Sequence, residues 1–448
     1  MNFYTEFCSG NLFPLHERLK GHDSVAIRQR LEVSQWWTPE QIAAYQAKRL
    51  RAFLCDIGKN VPYYREMFNE RRFDPKEILG IRDLQRLPFL DKREIRAHTA
   101  ALHADNHGPM TRFNTGGSSG EPLVFFLGKS RISHDVGAKW RATRWWNVDI
   151  GDSELVVWGS PIELGAQDRF RRLRDGLLRS RLLPAFEMSE AKLDDFVEEI
   201  RRSRPRMLFG YPSALALIGR HAGRRGVALD QLGIRVAFVT SERLYDEQRE
   251  VISRSFGCPV ANGYGGRDGG FIAHECPQGG MHVMAEDIVV ELTDAAGQPV
   301  PPGQPGEVVI THLATRDFPF VRYRTGDVAI FDGRACACGR GLPLLSEIQG
   351  RATDFVVAAD GTVIHGLALI YAVRDLPGIQ AFKITQETRS LTCVQLVRDV
   401  AFDASCVGGI IDTFHKRLGA EVEVRIEFVD NIPPERSGKY RYVISHAT

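Results

Sequence analysis

The spacing of apolar positions changes character three times along the chain. From Pro39 to about Arg96, Ile42, Leu50, Phe53 and Leu54 recur near helical spacing and are broken by Pro62, Pro75 and Pro88, which predicts a helical lead-in. Beyond Phe113, short β-rich runs (Leu155–Trp158, Met207–Phe209, Val236–Thr240) alternate with amphipathic stretches. In one of these, Ser189 can cap a helix whose Leu193, Phe196, Val197 and Ile200 fall at i, i+3, i+4 and i+7, with Pro205 past its end. Such alternation predicts a layered α/β core. After Met281 the runs become extended, at Ile288–Leu292, Glu307–Leu313 and Val321–Phe331, and turn residues separate them, which predicts an antiparallel region. From about Gly350 the pattern is that of a small α+β unit: a hairpin at Asp360-Gly361, helices over 367–374 and 406–418, and strands over 381–385, 391–397 and 422–428. The expected division is a large α/β domain over 1–350 and a small α+β domain over 351–448. There is no internal repeat, low-complexity tract or long charge run.

Composition narrows the function classes. A chain of 448 residues can bury a sizeable cleft, and 43% hydrophobic with 25% charged residues is ordinary for a soluble globular protein. Lys plus Arg number 58 against 56 Asp plus Glu, so no global field exists to hold a polyanion; neither a nucleic-acid nor a membrane partner is expected, and any phosphate must be gripped locally. The start of the chain lacks the basic-then-apolar order of a secretion signal, so the expected compartment is the cytoplasm. Eight cysteines are too sparse for a disulfide scaffold, but Cys276, Cys336 and Cys338 stand close to one another or to a histidine. Oligomeric state is not written in these features; a homodimer is compatible with them.

The most informative segment is Thr115, Gly116, Gly117, Ser118, Ser119, Gly120, Glu121, Pro122. Glycines let successive backbone N–H groups turn toward one anion, and the hydroxyls add donors, which together make a phosphate cradle. By glycine count alone it is equally a flexible turn. The Gly-Lys-Ser/Thr ending of the P-loop is missing, which argues against that class of kinase or ATPase. The loop resembles the phosphate-binding signature of the adenylate-forming ligase superfamily. Pro62-Tyr63-Tyr64-Arg65 and Leu87-Pro88-Phe89 resemble, more narrowly, the lead-in of the phenylacetate-CoA ligase group and its capsule-biosynthesis relatives, and further matches run almost to the last residue.

That resemblance implies roles for particular residues. Ser241 and Glu242, after the 236–240 strand, stand where the group holds adenine, although the usual leading Gly is replaced. Tyr264, Gly265, Gly266, Arg267 and Asp268 correspond to the segment whose aromatic lies near adenine and whose acid helps hold Mg²⁺; Asp here replaces the usual Glu. Tyr323, Arg324, Thr325, Gly326 and Asp327 agree fully with the segment whose Asp accepts from both ribose hydroxyls, a task suited to a forked acceptor. Gly350-Arg351 resembles the hinge between domains, with Arg351 reaching the nucleotide; Thr353 stands where relatives carry an acid. Gly361 takes the place of the glycine that lets a pantetheine arm pass, and Lys439, in Ser437-Gly438-Lys439, that of the lysine facing the attacking carboxylate and the α-phosphate.

The implied activity is AMP-forming: ATP and Mg²⁺ convert a carboxylic acid to an acyl-adenylate, and the acyl group then passes to CoA. Two other readings remain, an amide ligase that uses an amine acceptor and a non-catalytic nucleotide sensor. The acid is not legible, since Trp145, Trp146, Trp158, Phe209 and Tyr211 suit an aromatic pocket and a core alike. Apart from the resemblance, His274, Cys276, Cys336 and Cys338 compose a Cys₃His set, either a structural zinc site or buried unligated thiols. The His-x-Glu and Pro-Cys-x-x-Cys pattern of nucleobase deaminases is absent.

Overall fold

The computed structural model describes residues 3–114, 123–158, 169–185, 188, 190–294, 296–351, 355–361, 363–365, 367–374, 376–433 and 442–447. These divide into two compact units, Met1–Gln349 and Gly350–Thr448.

The larger unit opens with helices α1 (Phe3–Phe7), α2 (Phe13–Lys20), α3 (Ser24–Ser34), α4 (Pro39–Asn60), α5 (Pro62–Glu70) and α6 (Lys92–Ala97). A five-residue π-helical turn, Cys8–Leu12, joins the first two into one helical rod. Helix α4 starts where it does because Thr38 and Gln41 cap reciprocally: the Gln41 N–H donates to Thr38 Oγ1 at 3.3 Å and the Thr38 N–H to Gln41 Oε1 at 2.9 Å. Its Ile42, Leu50, Phe53, Leu54 and Ile57 are buried in a core shared with the antiparallel strands.

A hairpin of β1 (Met110–Asn114) and β2 (Val124–Gly128) follows, paired so that Asn114 faces Val124, and α7 (Lys129–Arg144) leaves its second strand. Next comes the alternating part: β3 (Glu154–Trp158), α8 (Arg169–Leu177), β4 (Ser180–Pro184), α9 (Glu190–Ser203), β5 (Met207–Gly210), α10 (Pro212–Arg224), β6 (Val236–Thr240), α11 (Asp246–Phe256) and β7 (Val260–Gly266). The strands here are parallel, and β5 and β6 are buried throughout, which explains why they read as continuous apolar runs. Helix α9 buries the four apolar residues expected of it; Ser189, its expected cap, lies outside the described residues.

The chain then turns antiparallel through β8 (Gly270–Glu275), β9 (Met281–Val283), β10 (Ile288–Thr293), β11 (Pro305–His312), β12 (Tyr323–Asp332) and β13 (Leu344–Arg351). Parallel and antiparallel parts join in one 11-stranded sheet of order β10-β11-β12-β13-β9-β8-β7-β6-β5-β3-β4. The smaller unit holds the hairpin β14 (Phe355–Val357) and β15 (Val363–His365), helix α12 (Leu367–Arg374), β16 (Ile379–Thr388), β17 (Leu391–Arg398), α13 (Cys406–Leu418), β18 (Glu423–Phe428) and β19 (Val443–Ser445). Its four-stranded sheet has the order β18-β17-β16-β19. No helix among the described residues is long and apolar enough to cross a membrane.

Candidate active site

Two five-residue segments, Tyr264–Asp268 at the end of β7 and Tyr323–Asp327 at the start of β12, each have Tyr first and Asp last, and the sheet brings them face to face. The Tyr264 hydroxyl donates to Asp327 Oδ2 at 2.9 Å, and the Tyr323 hydroxyl donates to Asp268 Oδ2 at 2.7 Å. Each tyrosine thus orients the other segment's carboxylate. Burial, reinforced by the Asp327 charge, pushes the Tyr264 phenol well above its usual pKa, so it stays a donor at any physiological pH. Asp268 Oδ1 also accepts the Gly269 N–H at 3.1 Å, and the Asp327 N–H donates to Thr325 Oγ1 at 3.1 Å. A carboxylate has about four acceptor positions, so Asp268 retains lone pairs for a cation.

The lead-in motifs buttress this pair. Tyr64 is fully buried; its hydroxyl donates to Pro319 O at 3.1 Å and accepts the Val321 N–H at 3.2 Å, which fixes the approach to β12. Leu90 bridges to Tyr323, and the Arg322 guanidinium stacks 4.2 Å from the centroid of Phe89.

Beneath the turn bearing Asp268, Gly270 is left-handed (φ +81°), and a Cβ there would lie 2.7 Å from Arg131 Nη2 and 3.0 Å from His312 Nε2. Arg131 of α7 is buried, forks onto Asp135 through Nε at 3.1 and 3.0 Å, and donates from Nη2 to Arg267 O at 3.4 Å. Helix α7 leaves the β1–β2 hairpin directly, so one rigid element touches both the turn and the hairpin whose tips flank residues 115–122.

Ser241 follows β6 in a left-handed conformation (φ +72°), a strained backbone for a residue with a Cβ and one that occurs preferentially at functional sites. Glu242 Oε2 accepts the Ser213 N–H at the start of α10 at 3.2 Å. Gly265 packs closely against the Gly270 backbone where the β7–β8 register shifts. In the smaller unit Gly361 sits in the β14–β15 turn with φ +87°. Arg351 ends β13. Thr115, Gly116, Gly117, Ser118, Ser119, Gly120 and Lys439 lie outside the described residues.

Of the aromatic residues, Trp145 serves structure: its indole N–H donates to Gln35 Oε1 at 2.7 Å and its ring lies under Arg340. Phe209 stacks on Phe238 inside the sheet core. Trp146 donates to Glu275 O at 3.0 Å. Trp158 and Tyr211 stack 4.4 Å apart at the carboxyl ends of β3 and β5, where open α/β sheets take their ligands.

The cysteine cluster corrects one ligand. Cys276, Cys336 and Cys338 converge with His282, not His274, and the four donor atoms all lie within 4.8 Å of one another. A tight turn, with the Cys276 N–H donating to Gly280 O at 2.9 Å, folds β9 back so that His282 pairs directly across from His274. His282 then reaches the thiols, with Nε2 3.2 Å from Cys338 Sγ, whereas the His274 ring packs between Phe271 and Phe238 with centroids 5.2 and 5.7 Å away. Cys276 and Cys336 Sγ atoms are 3.6 Å apart. A tetrahedral zinc with usual bond lengths would set S···S near ~3.8 Å and S···N near ~3.6 Å, so the set fits that ion with small adjustments. Burial pushes His282 down to about 4, leaving the neutral ring that ligation needs. The Cys-x₅-His spacing across the Gly279-Gly280 turn is the sequence signal that would have pointed to His282, and it was passed over.

The fold is that of an adenylate-forming ligase. It superposes on 2-hydroxyisobutyryl-CoA ligase in complex with an acyl-AMP, with a TM-score of 0.72 at 20% identity over 89% of this chain and 88% of that one. It also superposes on the amide bond synthetase McbA from Marinactinospora thermotolerans, with a TM-score of 0.52 at 20% identity over 73% and 67% of the two chains. In sequence the chain is 26% identical to phenylacetate-coenzyme A ligase of Thermus thermophilus over 71% of its length and 72% of the relative's, and 22% identical to Protein CapK of Staphylococcus aureus over 90% and 88%. Residues 356–446 match the CapK C-terminal domain model. The chain is therefore a homologue of the phenylacetate-CoA ligases and CapK.

Proposed function

We propose that this protein is an AMP-forming ligase that adenylates a carboxylic acid and hands the acyl group to CoA. The observation that carries the reading is the reciprocal Tyr264–Asp327 and Tyr323–Asp268 pairing, which sets two oriented carboxylates side by side on an adenylate-forming fold. In the first step a carboxylate oxygen of the acid attacks the α-phosphorus of ATP; the bond from that phosphorus to the bridging oxygen breaks and pyrophosphate leaves. In the second, the CoA sulfur attacks the acyl carbon, its proton passes to solvent, and AMP departs with the electron pair of the former anhydride bond. Asp327 binds the ribose hydroxyls through its fork, and Asp268 holds the divalent cation, which when bound screens phosphate charge. Ser241 and Glu242 border the adenine. The 115–120 loop grips the phosphates, Lys439 meets the charge that builds on the α-phosphate, and Arg351 approaches the nucleotide from the hinge. The smaller unit acts as the lid, with Gly361 giving passage to the pantetheine arm.

Within this reading Trp158 and Tyr211 favour an acid with a flat apolar group. Cys276, His282, Cys336 and Cys338 hold a structural zinc, since four soft or borderline ligands leave no open position for chemistry. The working compartment is the cytoplasm.

Pyrophosphate release across a panel of aromatic, aliphatic and amino acids tests the assignment. Activity is expected with at least one acid, and Lys439→Ala should remove it, by about 100-fold or more, while ATP binding persists. Exchange of pyrophosphate into ATP at the wild-type rate in that variant would overturn the lysine's role. Mass spectrometry of the product with CoA or amines present separates the thioester from the amide, the second reading that McbA's likeness in fold keeps open. Nucleotide binding with no release across the whole panel would instead favour a sensor.

A further inference from the structure

Exposed apolar side chains scattered singly are normal on a protein surface; a contiguous set is not. Among the large apolar side chains most exposed in this protein, six lie on two neighbouring helical elements: Phe3, Phe7, Leu15 and Leu19 on the rod from α1 to α2, and Leu173 and Leu177 on α8. The first four stand at steps of four or eight residues, on one face of the rod, and Phe3 and Leu19 at its two ends are 84% and 80% exposed. The two elements meet where α8 ends. The Tyr4 hydroxyl donates to Leu177 O at 2.7 Å, the Arg179 guanidinium lies 5.2 Å from the Tyr4 ring centroid, and the Arg174 charge acts on His16.

Basic side chains border this face. In sequence, residues 169–181 contain six arginines against the single acid Asp175, in a chain whose whole net charge is only +2; of these, Arg174, which pairs with Asp175, and Arg179 lie beside the rod, whereas Arg181 turns to Glu199. Arg18 and Lys20 add to it at the end of α2. The near-neutral global balance, which gave no reason to expect a membrane, averages over this local concentration.

We propose that this face is a docking surface for an anionic lipid bilayer, on which the protein lies peripherally. The charge favours acidic headgroups, and the outward Phe and Leu side chains are what such a surface inserts at the headgroup–acyl boundary. A second copy of the chain fits less well, because a self-complementary contact would press one arginine cluster against another. A nucleic acid would leave the phenylalanine and leucine stripe without a role, since phosphate contact uses charge and not apolar area. The proposal is independent of the ligase assignment and uses none of its residues.

Flotation of the full chain with extruded vesicles tests it, comparing pure phosphatidylcholine with vesicles holding about 30 mol% phosphatidylglycerol at about 0.1 M salt. The protein should float with the anionic vesicles and remain behind with the neutral ones. The paired variants Phe3→Asp with Leu19→Asp, and Arg174→Glu with Arg179→Glu, should each lower the bound fraction by about tenfold or more, with the unfolding temperature and any pyrophosphate release unchanged. Absence of flotation with either vesicle, equal flotation with both, or retention of binding by both variants would overturn the proposal. So would light scattering that shows a dimer which Leu19→Asp dissociates, or an RNA oligonucleotide that displaces nothing but itself binds through the arginines.

Discussion

Among the described residues of the larger unit, two clusters bring metal-binding atoms within 4.8 Å of one another, Cys276–His282–Cys336–Cys338 and His134–Asp135–His312, yet they are built for different occupants. The thiol cluster offers four donor atoms with spacings close to the edges of a zinc tetrahedron. In the second cluster His312 Nδ1 and the Asp135 carboxylate are already engaged, while the His134 nitrogens and His312 Nε2 make no hydrogen bond among the described residues. His312 Nδ1 accepts the Ala314 N–H at 3.2 Å, so its proton sits on Nε2, the atom a metal would need. Arg131 already forks onto Asp135, and His134 lies between Asp135 and Asp287, with its ring nitrogens 3.7 and 3.4 Å from their oxygens. Burial alone would push the His134 imidazolium down, but the two carboxylates outweigh it and its pKa stands above the ordinary value. Guanidinium groups here already supply positive charge to the carboxylates that a metal would otherwise face. Proximity of donors is therefore a weak criterion; which lone pairs are still available decides.

Breaking the first cluster should have the largest effect. Cys336→Ser with Cys338→Ser is expected to abolish bound zinc, measured by elemental analysis, and to lower unfolding stability by more than about 5 kcal/mol in urea. His282→Ala should also lose the metal, whereas His274→Leu should keep it; the reverse result would restore the ligand set first expected. Wild-type protein purified without any metal and unmoved by chelators would put the two clusters on the same footing.

The second cluster should respond to loss of charge and not to chelation. Asp287 is fully buried and takes Arg30 at 2.5 Å, Arg49 and His134. Asp287→Asn leaves those cations without a counter-charge and should cost about 3–5 kcal/mol, with zinc content unchanged. A loss below about 1 kcal/mol would show that solvent already screens them.

A smaller effect, on activity, separates residues that hold the candidate site from those that only support the sheet. Tyr323→Phe removes the donor to Asp268 and Tyr264→Phe the donor to Asp327, and each should weaken use of Mg·ATP by about tenfold in kcat/KM, since one hydrogen bond to a charged group contributes about 1.5–3 kcal/mol. Raising Mg²⁺ should recover part of the Tyr323→Phe loss and none of the Tyr264→Phe loss. Equal behaviour of the two variants toward Mg²⁺ would break the division of labour between Asp268 and Asp327.

What could be read from the sequence follows the range of the interaction. The strand over 236–240 was legible because both its faces are buried, and that over 155–158 because its buried residues alternate with half-buried ones that are also apolar, so each spelled a continuous apolar word. The helix bearing Leu193 and Ile200 was legible through local periodicity. His282 was missed because its approach to Cys338, 56 positions away, depends on how a five-residue turn sets the β8–β9 register. The crossing of Tyr264 with Asp327 and Tyr323 with Asp268 was hidden for the same reason: each segment looks complete by itself, and only sheet order makes them partners. The exposed Leu173 and Leu177 of α8 went unnoticed because leucines at helical spacing look like any core-facing set until exposure is known.

The finest test of the comparison lies in the pH dependence of stability within the second cluster. His134 has a pKa above its unfolded value, because Asp135 and Asp287 outweigh its burial; its contribution is fully present below about 6.5 and is lost as pH rises through the raised folded value. His312 is opposite: burial and nearby Arg131 hold it well below the ordinary value, so it folds as the neutral ring, and its contribution is present above about 6.5 and lost as pH falls. Urea unfolding at about pH 5.5 and 8.5 should therefore show His134→Gln costing more at the acid end and His312→Gln costing more at the alkaline end. If a metal occupied this cluster instead, both histidines would need their neutral rings, and both variants would lose more at alkaline pH. Slopes of the same sign would place the second cluster with the first, and slopes of opposite sign would keep them apart.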